Sequence, residues 1–262
     1  MDVAVNSENG LLQGQRGLIV GVANDKSIAA GCARSFAAAG AELALTYLND
    51  KAFPHVKAVA DTVAAEHLLK LDVEDDAQMD AVFRTIADTW GKLDFLLHSI
   101  AYCPPDALHG RVVDCSRGGF LRTMDISVHS FVRMARLAEP LMSNGGALLT
   151  ISYYGSEKVV PNYGVMGPVK AALESATRYL AADLGPSGIR VNALSPGPIP
   201  TRAASGIAGF DGLMSGAEAR SPERRLVNID EVGDLAAFLV SDRARAITGN
   251  VEYIDAGFHV TA

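Results

Sequence analysis

A repeated alternation of short apolar runs with longer helical ones constrains this chain most. Strand-like runs fall at Gly17–Val22, Glu42–Tyr47, His67–Asp72, Leu93–Ser99, Ala147–Ser152, Arg190–Ser195 and Val251–Ile254. Alanine- and leucine-rich stretches of helical period separate them, at Ile28–Ala39, Lys51–Ala65, Ala77–Trp90, Gly118–Met142, Tyr163–Asp183 and Ile229–Val240. The strand-like runs are hydrophobic throughout, so each is covered on both faces. With helices between them, that pattern calls for a parallel sheet joined by right-handed crossovers. The fold class expected is α/β, a single-domain Rossmann-like doubly wound parallel sheet of about seven strands. At 262 residues, 49% hydrophobic, the chain can bury one substantial core, and no linker, repeat or low-complexity tract divides residues 1–262.

Charge and cysteine usage narrow the partners. The net charge is −7, and no run of lysine or arginine marks a nucleic-acid or anionic-membrane surface. The three cysteines, Cys32, Cys103 and Cys115, are widely spaced without a CxxC pair, so neither a disulfide framework nor a metal site is expected. Met1 to Gly10 is polar and acidic, unlike a signal peptide, and no apolar stretch is long enough to span a bilayer. The expectation is a soluble, reduced, cytoplasmic protein.

The first strand runs into Gly21-Val22-Ala23-Asn24-Asp25-Lys26-Ser27-Ile28-Ala29-Ala30-Gly31, which opens a helix. A turn so placed aims free backbone N–H groups and the positive end of a helix dipole at an anion. Gly21 permits a tight turn, Ser27 can cap the helix or touch a phosphate, and Ile28 follows it. Dinucleotide binding is the better reading, an ordinary turn the plainer one. The second strand ends Thr46-Tyr47-Leu48-Asn49-Asp50, with no cation before Lys51. A site selective for NADP places arginine or lysine there, so NADH is favoured. Asp72 and Val73 close the third strand, where a carboxylate could bond an adenine amino group or could simply make a turn. Ser99, Ile100 and Ala101 close the fourth strand at the crevice expected to hold the cofactor. His98 reads as a buried, satisfied histidine.

Tyr163 and Lys170 lie seven residues apart in a stretch of helical period. On one helix, seven steps of ~100° bring both side chains within ~20° of the same face, separated by ~10 Å along the axis. The lysine can then hold a cofactor while the tyrosine meets a substrate oxygen. Between the sixth strand and the last helix, Gly197–Ser221 is rich in glycine, alanine, proline and serine. Within it Ala203, Ile207, Phe210 and Met214 recur at i, i+4, i+7 and i+11, an apolar helical stripe. The stripe suits either core packing or a mobile lid over an apolar substrate, spanning about residues 197–221.

Taken together, these segments resemble the short-chain dehydrogenase/reductase superfamily, and more closely its divergent branch of bacterial NADH-dependent enoyl-[acyl-carrier-protein] reductases. The resemblance runs from about Gly14 to Val260. Its carriers are Gly21-x5-Ser27-Ile28-Ala29-x-Gly31, His98-Ser99-Ile100-Ala101, Ser152-Tyr153-x-Gly155-x-Glu157, Asn162-Tyr163-x-Val165-Met166-Gly167-x2-Lys170 and Gly188-Ile189-Arg190-Val191-Asn192-Ala193 with Gly197-Pro198-Ile199. The Ser…Tyr-x3-Lys pattern of ordinary short-chain dehydrogenases is absent. Met166 stands where its tyrosine would be and Tyr153 where its serine would be. Moving the donor from i−4 to i−7 shifts it ~4.5 Å along a helix. That suits a reaction in which charge develops on an oxygen two bonds beyond the carbon receiving hydride.

The resemblance implies reduction of the trans-2 double bond of an enoyl thioester by NADH in fatty acid elongation. Tyr163 would be the donor to the thioester oxygen, Lys170 the holder of the nicotinamide ribose, and Tyr153 a further active-site residue. The NADH (NAD+) site implied comprises Gly21, Ser27, Ile28, Leu48, Asp72, Val73, Ser99, Ile100, Ala101, Lys170, Ile199, Thr201 and Ala203. Around the acyl chain it implies Tyr102, Cys103, Tyr153, Tyr163, Met166, Ile207 and Phe210; Cys103 reads as an apolar wall residue or a reactive thiol. It implies an acyl-carrier-protein substrate and a homotetramer paired through the long helices. One departure bears on the carrier. Ala208-Gly209-Phe210-Asp211-Gly212 offers no cation where basic residues are usual, so Arg202, Arg220, Arg224 and Arg225 become docking candidates, or a CoA thioester the substrate. The alternatives are an alcohol or carbonyl dehydrogenase and a non-catalytic NADH-binding module.

Overall fold

Seven strands hydrogen-bond into one sheet, every neighbouring pair parallel, in a computed structural model that describes residues 10–202 and 204–261. They are β1 (Arg16–Val20), β2 (Glu42–Tyr47), β3 (His67–Lys70), β4 (Phe95–His98), β5 (Gly146–Ile151), β6 (Ile189–Pro196) and β7 (Val251–Ile254), in the order β3-β2-β1-β4-β5-β6-β7. Strand order reverses between β1 and β4, which opens a crevice at their carboxyl ends. The Rossmann-like architecture is as expected.

Helices cover both faces. On one face α1 (Ile28–Ala38), α2 (Phe53–Thr62) and α9 (Ile229–Val240) bury Phe36, Val56, Val232 and Val240 against Ile19, Leu45 and Leu149. On the other, α3 (Asp76–Trp90), α5 (Arg117–Met124), α6 (Ser130–Ala138) and α7 (Met166–Leu184) pack Phe83, Ile86, Phe131 and Leu173 against Leu18, Leu96 and Leu148. Short α4 (Pro105–Leu108), α8 (Phe210–Arg220) and α10 (Phe258–Thr261) complete the helices. Among the described residues, no helix is long and apolar enough to cross a membrane.

Two expected helices differ. The stretch Gly118–Met142 is helical but not uniform: a π turn, Asp125–His129, separates α5 from α6, and a 3-10 turn, Glu139–Leu141, ends it. The π turn is held from below. His98, fully buried, meets Thr150 Oγ1 through Nδ1 (3.0 Å) and Ser130 Oγ through Nε2 (2.8 Å). Ser130 Oγ donates its own hydrogen to Ile126 O, so it accepts from His98 Nε2–H, and Thr150 donates to Nδ1. Burial, with Lys170 nearby, depresses the imidazole to about 3, so it stays neutral. His98 is the satisfied histidine expected. From the same turn Ser127 Oγ bonds both N–H and C=O of Tyr102, at 3.0 and 3.1 Å, fixing the chain after β4.

The second difference concerns Tyr163. The helix expected from Tyr163 starts at Met166, because Asn162 and Gly164 take left-handed backbone angles (φ 62° and 52°) that no α-helix accommodates. Tyr163 stands in the turn ahead of α7, and its carbonyl accepts from Met166 N at 3.2 Å. The one-helix geometry of Tyr163 and Lys170 therefore does not hold.

Away from the crevice, Arg190 on β6 ties the sheet to α9. Its guanidinium reaches Leu239 O (2.6 Å), Val240 O (3.2 Å) and Ser241 O (3.1 Å), the carbonyls that the end of a helix leaves unpartnered. Replacing Arg190 by Met would strand several of these acceptors. The Arg190→Met protein is expected to lose about 2–3 kcal/mol of stability, read as a lower midpoint in urea with unchanged slope.

Candidate active site

The carboxyl ends of β4, β5 and β6 form the floor of a cavity of about 400 Å³. Its outer walls come from α4 with His109, and from Ala204 to Phe210 ahead of and into α8. The sheet supplies Ala101 after β4, Ile151 and Ser152 at β5, and Pro196 to Ile199 after β6. The lining is mostly apolar, and its polar groups are few: Tyr153, Tyr163, Ser152, Thr201 and Lys170 among them.

Tyr153 leaves β5 in an extended conformation and meets Tyr163 edge to face, ring centres 5.0 Å apart. The backbone of Gly155 lies flat against the Tyr163 ring: a Cβ there would fall 2.6 Å from Cδ1. Gly155 is thus a spacer that seats the tyrosine, a role its appearance in a motif did not disclose. Burial pushes the Tyr163 phenol well above its ordinary range, reinforced by Tyr153 and Glu174. Tyr153 is pushed up to about 12 by the same cause, and its buried hydroxyl has no hydrogen-bond partner among the described residues. Both are neutral donors at any physiological pH.

Lys170 enters the cavity from the first turns of α7. It is 4% exposed, and Nζ donates to Ile151 O at 2.6 Å, leaving its other hydrogens for a ligand. Burial lowers its pKa to about 8, against an opposing pull from Glu174. Glu174, one helical turn on and equally buried, accepts from Ser152 Oγ. The sequence reading missed Glu174 and Ser152, although the i+4 spacing from Lys170 put the carboxylate on the lysine's own face.

The expected site residues are distributed as follows. Ala101, Tyr102, Cys103, Tyr153, Tyr163, Met166, Lys170, Ile199, Thr201, Ile207, Phe210 and Ile28 all line the one cavity. Gly21, Ser99 and Ile100 lie beside it, at the reversal of strand order. Gly21 has φ 104°, and a Cβ on it would sit 2.1 Å from Ser99 O, so only glycine lets the two strand ends approach. Ser27 caps α1, accepting from Ala30 N at 3.3 Å and donating to Asn24 O at 2.7 Å. Leu48 is half exposed past β2, and Asp72 and Val73 follow β3, so these three continue the same edge outward from β1. The Asp72 carboxylate accepts from Glu74 N at 3.0 Å, a turn contact, and Asp75 caps α3. Ala203 lies outside the described residues.

The apolar stripe of the 197–221 segment is not one helix face. A 3-10 turn, Ala204–Gly206, and left-handed Gly209 (φ 73°) precede α8, so Ile207 stands outside the helix while Phe210 begins it. Both still reach the cavity. Cys103 is half-buried and burial raises its thiol pKa, which fits a wall residue. Of the arginines considered for docking, Arg225 is bound to Glu223 and Glu231, each at 2.7 Å, and Arg220 lies over the Phe258 ring.

The chemistry permitted is limited and specific. A Gly-turn beneath the amino end of α1, a cavity along the carboxyl ends of β4 to β6, and a buried ammonium within it suit an extended ligand with anionic and hydroxyl groups. These features define a dinucleotide-binding α/β protein, with two neutral phenols beside the buried lysine. Comparison narrows the class. The family model described as enoyl-(acyl carrier protein) reductase matches residues 21–259. The chain is 50% identical over 251 residues to the enoyl-[acyl-carrier-protein] reductase [NADH] 1 of Rhizobium meliloti, covering 96% of this chain and 92% of that one. It is 48% identical to the FabI enzyme of Aquifex aeolicus, covering 96% and 93%. A crystal structure of the Anaplasma phagocytophilum reductase in complex with NAD superposes with a TM-score of 0.93 at 47% identity, covering 96% of each chain. The chain belongs to the enoyl-(acyl carrier protein) reductase family.

The burial of the phenols can be read directly. Tyr153 and Tyr163 are expected to remain protonated at about pH 11, above the ordinary titration range of a phenol. In an ultraviolet titration of the folded protein, Tyr163→Phe should therefore leave the amplitude below that pH unchanged.

Proposed function

We infer that this protein reduces the trans-2 double bond of an enoyl thioester by hydride from NADH, as a step of fatty acid elongation, with acyl carrier protein bearing the thioester. The observation that carries the assignment is the convergence of Tyr163, Tyr153 and buried Lys170 on one apolar cavity at the strand ends.

The residues fit the cofactor. Gly21 leaves the space a Cβ would fill, α1 presents its amino end, and Lys170 keeps hydrogens free of the protein. When bound, NADH supplies the hydride. Lys170 would hold the nicotinamide ribose hydroxyls and place positive charge near the reacting carbons. Tyr163 would donate a hydrogen bond to the thioester oxygen as negative charge develops there. Its raised pKa means that it stabilises that charge as a neutral donor without giving up its proton fully. Tyr153 would pack across the acyl group and keep the Tyr163 ring upright. Ile207, Phe210 and Met166 keep water from the apolar end.

NADH is preferred over NADPH because the chain leaving β2, Leu48-Asn49-Asp50, carries no cation before Lys51. Lys70, paired in register with Tyr47, is bound to Asp50 at 3.2 Å. We further propose one domain over residues 1–262, with about 197–221 as a lid over the cavity, a cytoplasmic location, and a homotetramer. Exposed Phe120, Leu121 and Tyr179 on α5 and α7 are apolar surface suited to such pairing. On carrier recognition, Asp211 in the lid and the pairing of Arg225 just beyond it make this a poor basic surface, which favours a contribution from elsewhere or acceptance of a CoA thioester.

The test is NADH oxidation with crotonyl-CoA and with a medium-chain enoyl-acyl-carrier-protein, followed by loss of NADH absorbance. Turnover with both is expected, faster on the carrier. Tyr163→Phe is expected to lower kcat by about 10²-fold while NADH affinity stays within about threefold. A Tyr163→Phe enzyme with near-normal kcat would remove the assignment of Tyr163 as the donor, and no turnover by the unaltered enzyme would remove the function.

A further inference from the structure

Burying a charge is costly unless an opposite charge or several hydrogen bonds compensate for it. Among the described residues, three groups that ordinarily carry charge are buried: Lys170, Glu174 and Asp255. Asp255 has its own partners. Its carboxylate accepts from Gly257 N (2.9 Å) and His259 N (2.8 Å) and meets His259 Nδ1 at 3.0 Å. Glu174 and Lys170 are left to each other.

Their placement supports that pairing. The buried stripe of α7 runs Met166, Val169, Lys170, Leu173, Glu174, Thr177, Ala181 and Leu184, and its only charged members stand four residues apart. Such neighbours have Cβ atoms ~5–6 Å apart. Each is also fixed to the end of β5: Lys170 Nζ donates to Ile151 O, and Ser152 Oγ donates to Glu174. Both charges are thus tied to the end of β5, the strand that hands the chain on to Tyr153.

We propose that Glu174 is the positioning residue for Lys170, the counter-charge that keeps the buried ammonium protonated and aimed at the cofactor. The inference rests on the NADH-dependent reading given above. The other titratable groups facing this pair do not substitute for it. From β4, His98 is neutral; from the turn before α7, Tyr163 is neutral; Tyr153, after β5, and Tyr253, on β7, are likewise held protonated by burial. Asp255 acts on Tyr153 and Tyr253 and is already engaged with His259.

The sign follows from the charges. Lys170 has a pKa lowered by burial to about 8, with Glu174 raising it. Removing the carboxylate's charge lowers it further, so the ammonium is lost at a lower pH. Glu174→Gln keeps the size and an acceptor for Ser152 but removes the charge. Ser152→Ala removes the hydrogen bond and keeps the charge.

The experiment is the affinity for NADH, measured by its fluorescence between about pH 6 and 10 on the intact protein. The unaltered protein should lose affinity as the pH rises through about 8, and Lys170→Met should bind weakly with no such fall. In Glu174→Gln the fall should move about one pH unit or more toward acid, with affinity at pH 6 within about threefold of normal; Ser152→Ala should leave it in place. Glu174→Asp, should the glutamine variant not fold, is expected to move the fall the same way by less. A fall that coincides in the unaltered protein and the charge-altered variant overturns the proposal, as does an unaltered protein whose affinity is flat across this range. Because the readout is binding, absence of enoyl turnover alongside a shifted fall would count against the function alone, and turnover alongside coincident falls against this inference alone.

Discussion

The bond from Lys170 Nζ to Ile151 O fixes the site because it joins the two elements that carry the reacting groups. β5 ends at Ile151 and hands the chain to Ser152 and Tyr153; α7 begins at Met166 and follows directly from Tyr163. Sliding α7 along the sheet would break this contact and carry Tyr163 away from Tyr153. The contact is possible only because β5 is central and parallel, with its carboxyl end at the crevice where strand order reverses. Sheet topology decides where the lysine can be anchored, and the anchor holds the start of α7 beside the end of β5.

The electrostatic consequences reach in two directions. Burial holds both tyrosines neutral, so each can donate a hydrogen bond and neither serves as a base at physiological pH. The same burial weakens the positive charge of Lys170, which a site for charge build-up needs intact. An apolar cavity wide enough for an acyl chain and dry enough to strengthen a phenol's hydrogen bond therefore works against its own lysine. A carboxylate on the same helix face is the smallest correction available, and Glu174 occupies that position.

The sequence made most of this legible where one local rule acted alone. Apolar runs bounded by helical stretches gave all seven strands, and β2, β7 and α9 match residue for residue. The site residues after β4, β5 and β6 were also readable, since parallel strands must all end at one edge. What escaped depended on contacts between distant segments. Tyr163 falls within a stretch of helical period, yet Asn162 and Gly164 turn left-handed, and Gly164 does so where a Cβ would press against Leu108 O at 3.0 Å. The π turn at Asp125–His129 answers to His98 across the sheet, and Arg190 answers to the end of α9. The apolar stripe of residues 197–221 is broken by left-handed Gly209, a local signal that competes with helical period.

The displacement of Tyr163 from α7 changes the physical account of its reach. On a helix, the rise per residue would have set how far the donor stood from Lys170. Standing in a turn, the phenol is placed instead by what touches its ring: Tyr153 at one edge and the bare backbone of Gly155 against its flank. A phenol so placed can lie further from the lysine than one helical turn allows, its ring packed on two sides. Reduction of a conjugated double bond asks for that separation, because charge collects on an oxygen two bonds beyond the carbon that accepts hydride. Met166, at the fourth position before Lys170, can then be apolar wall, leaving no second hydroxyl there to serve the carbon that receives hydride. On the reading proposed above, the same turn that defeats the helical reading of Tyr163 is what would suit the site to an enoyl group.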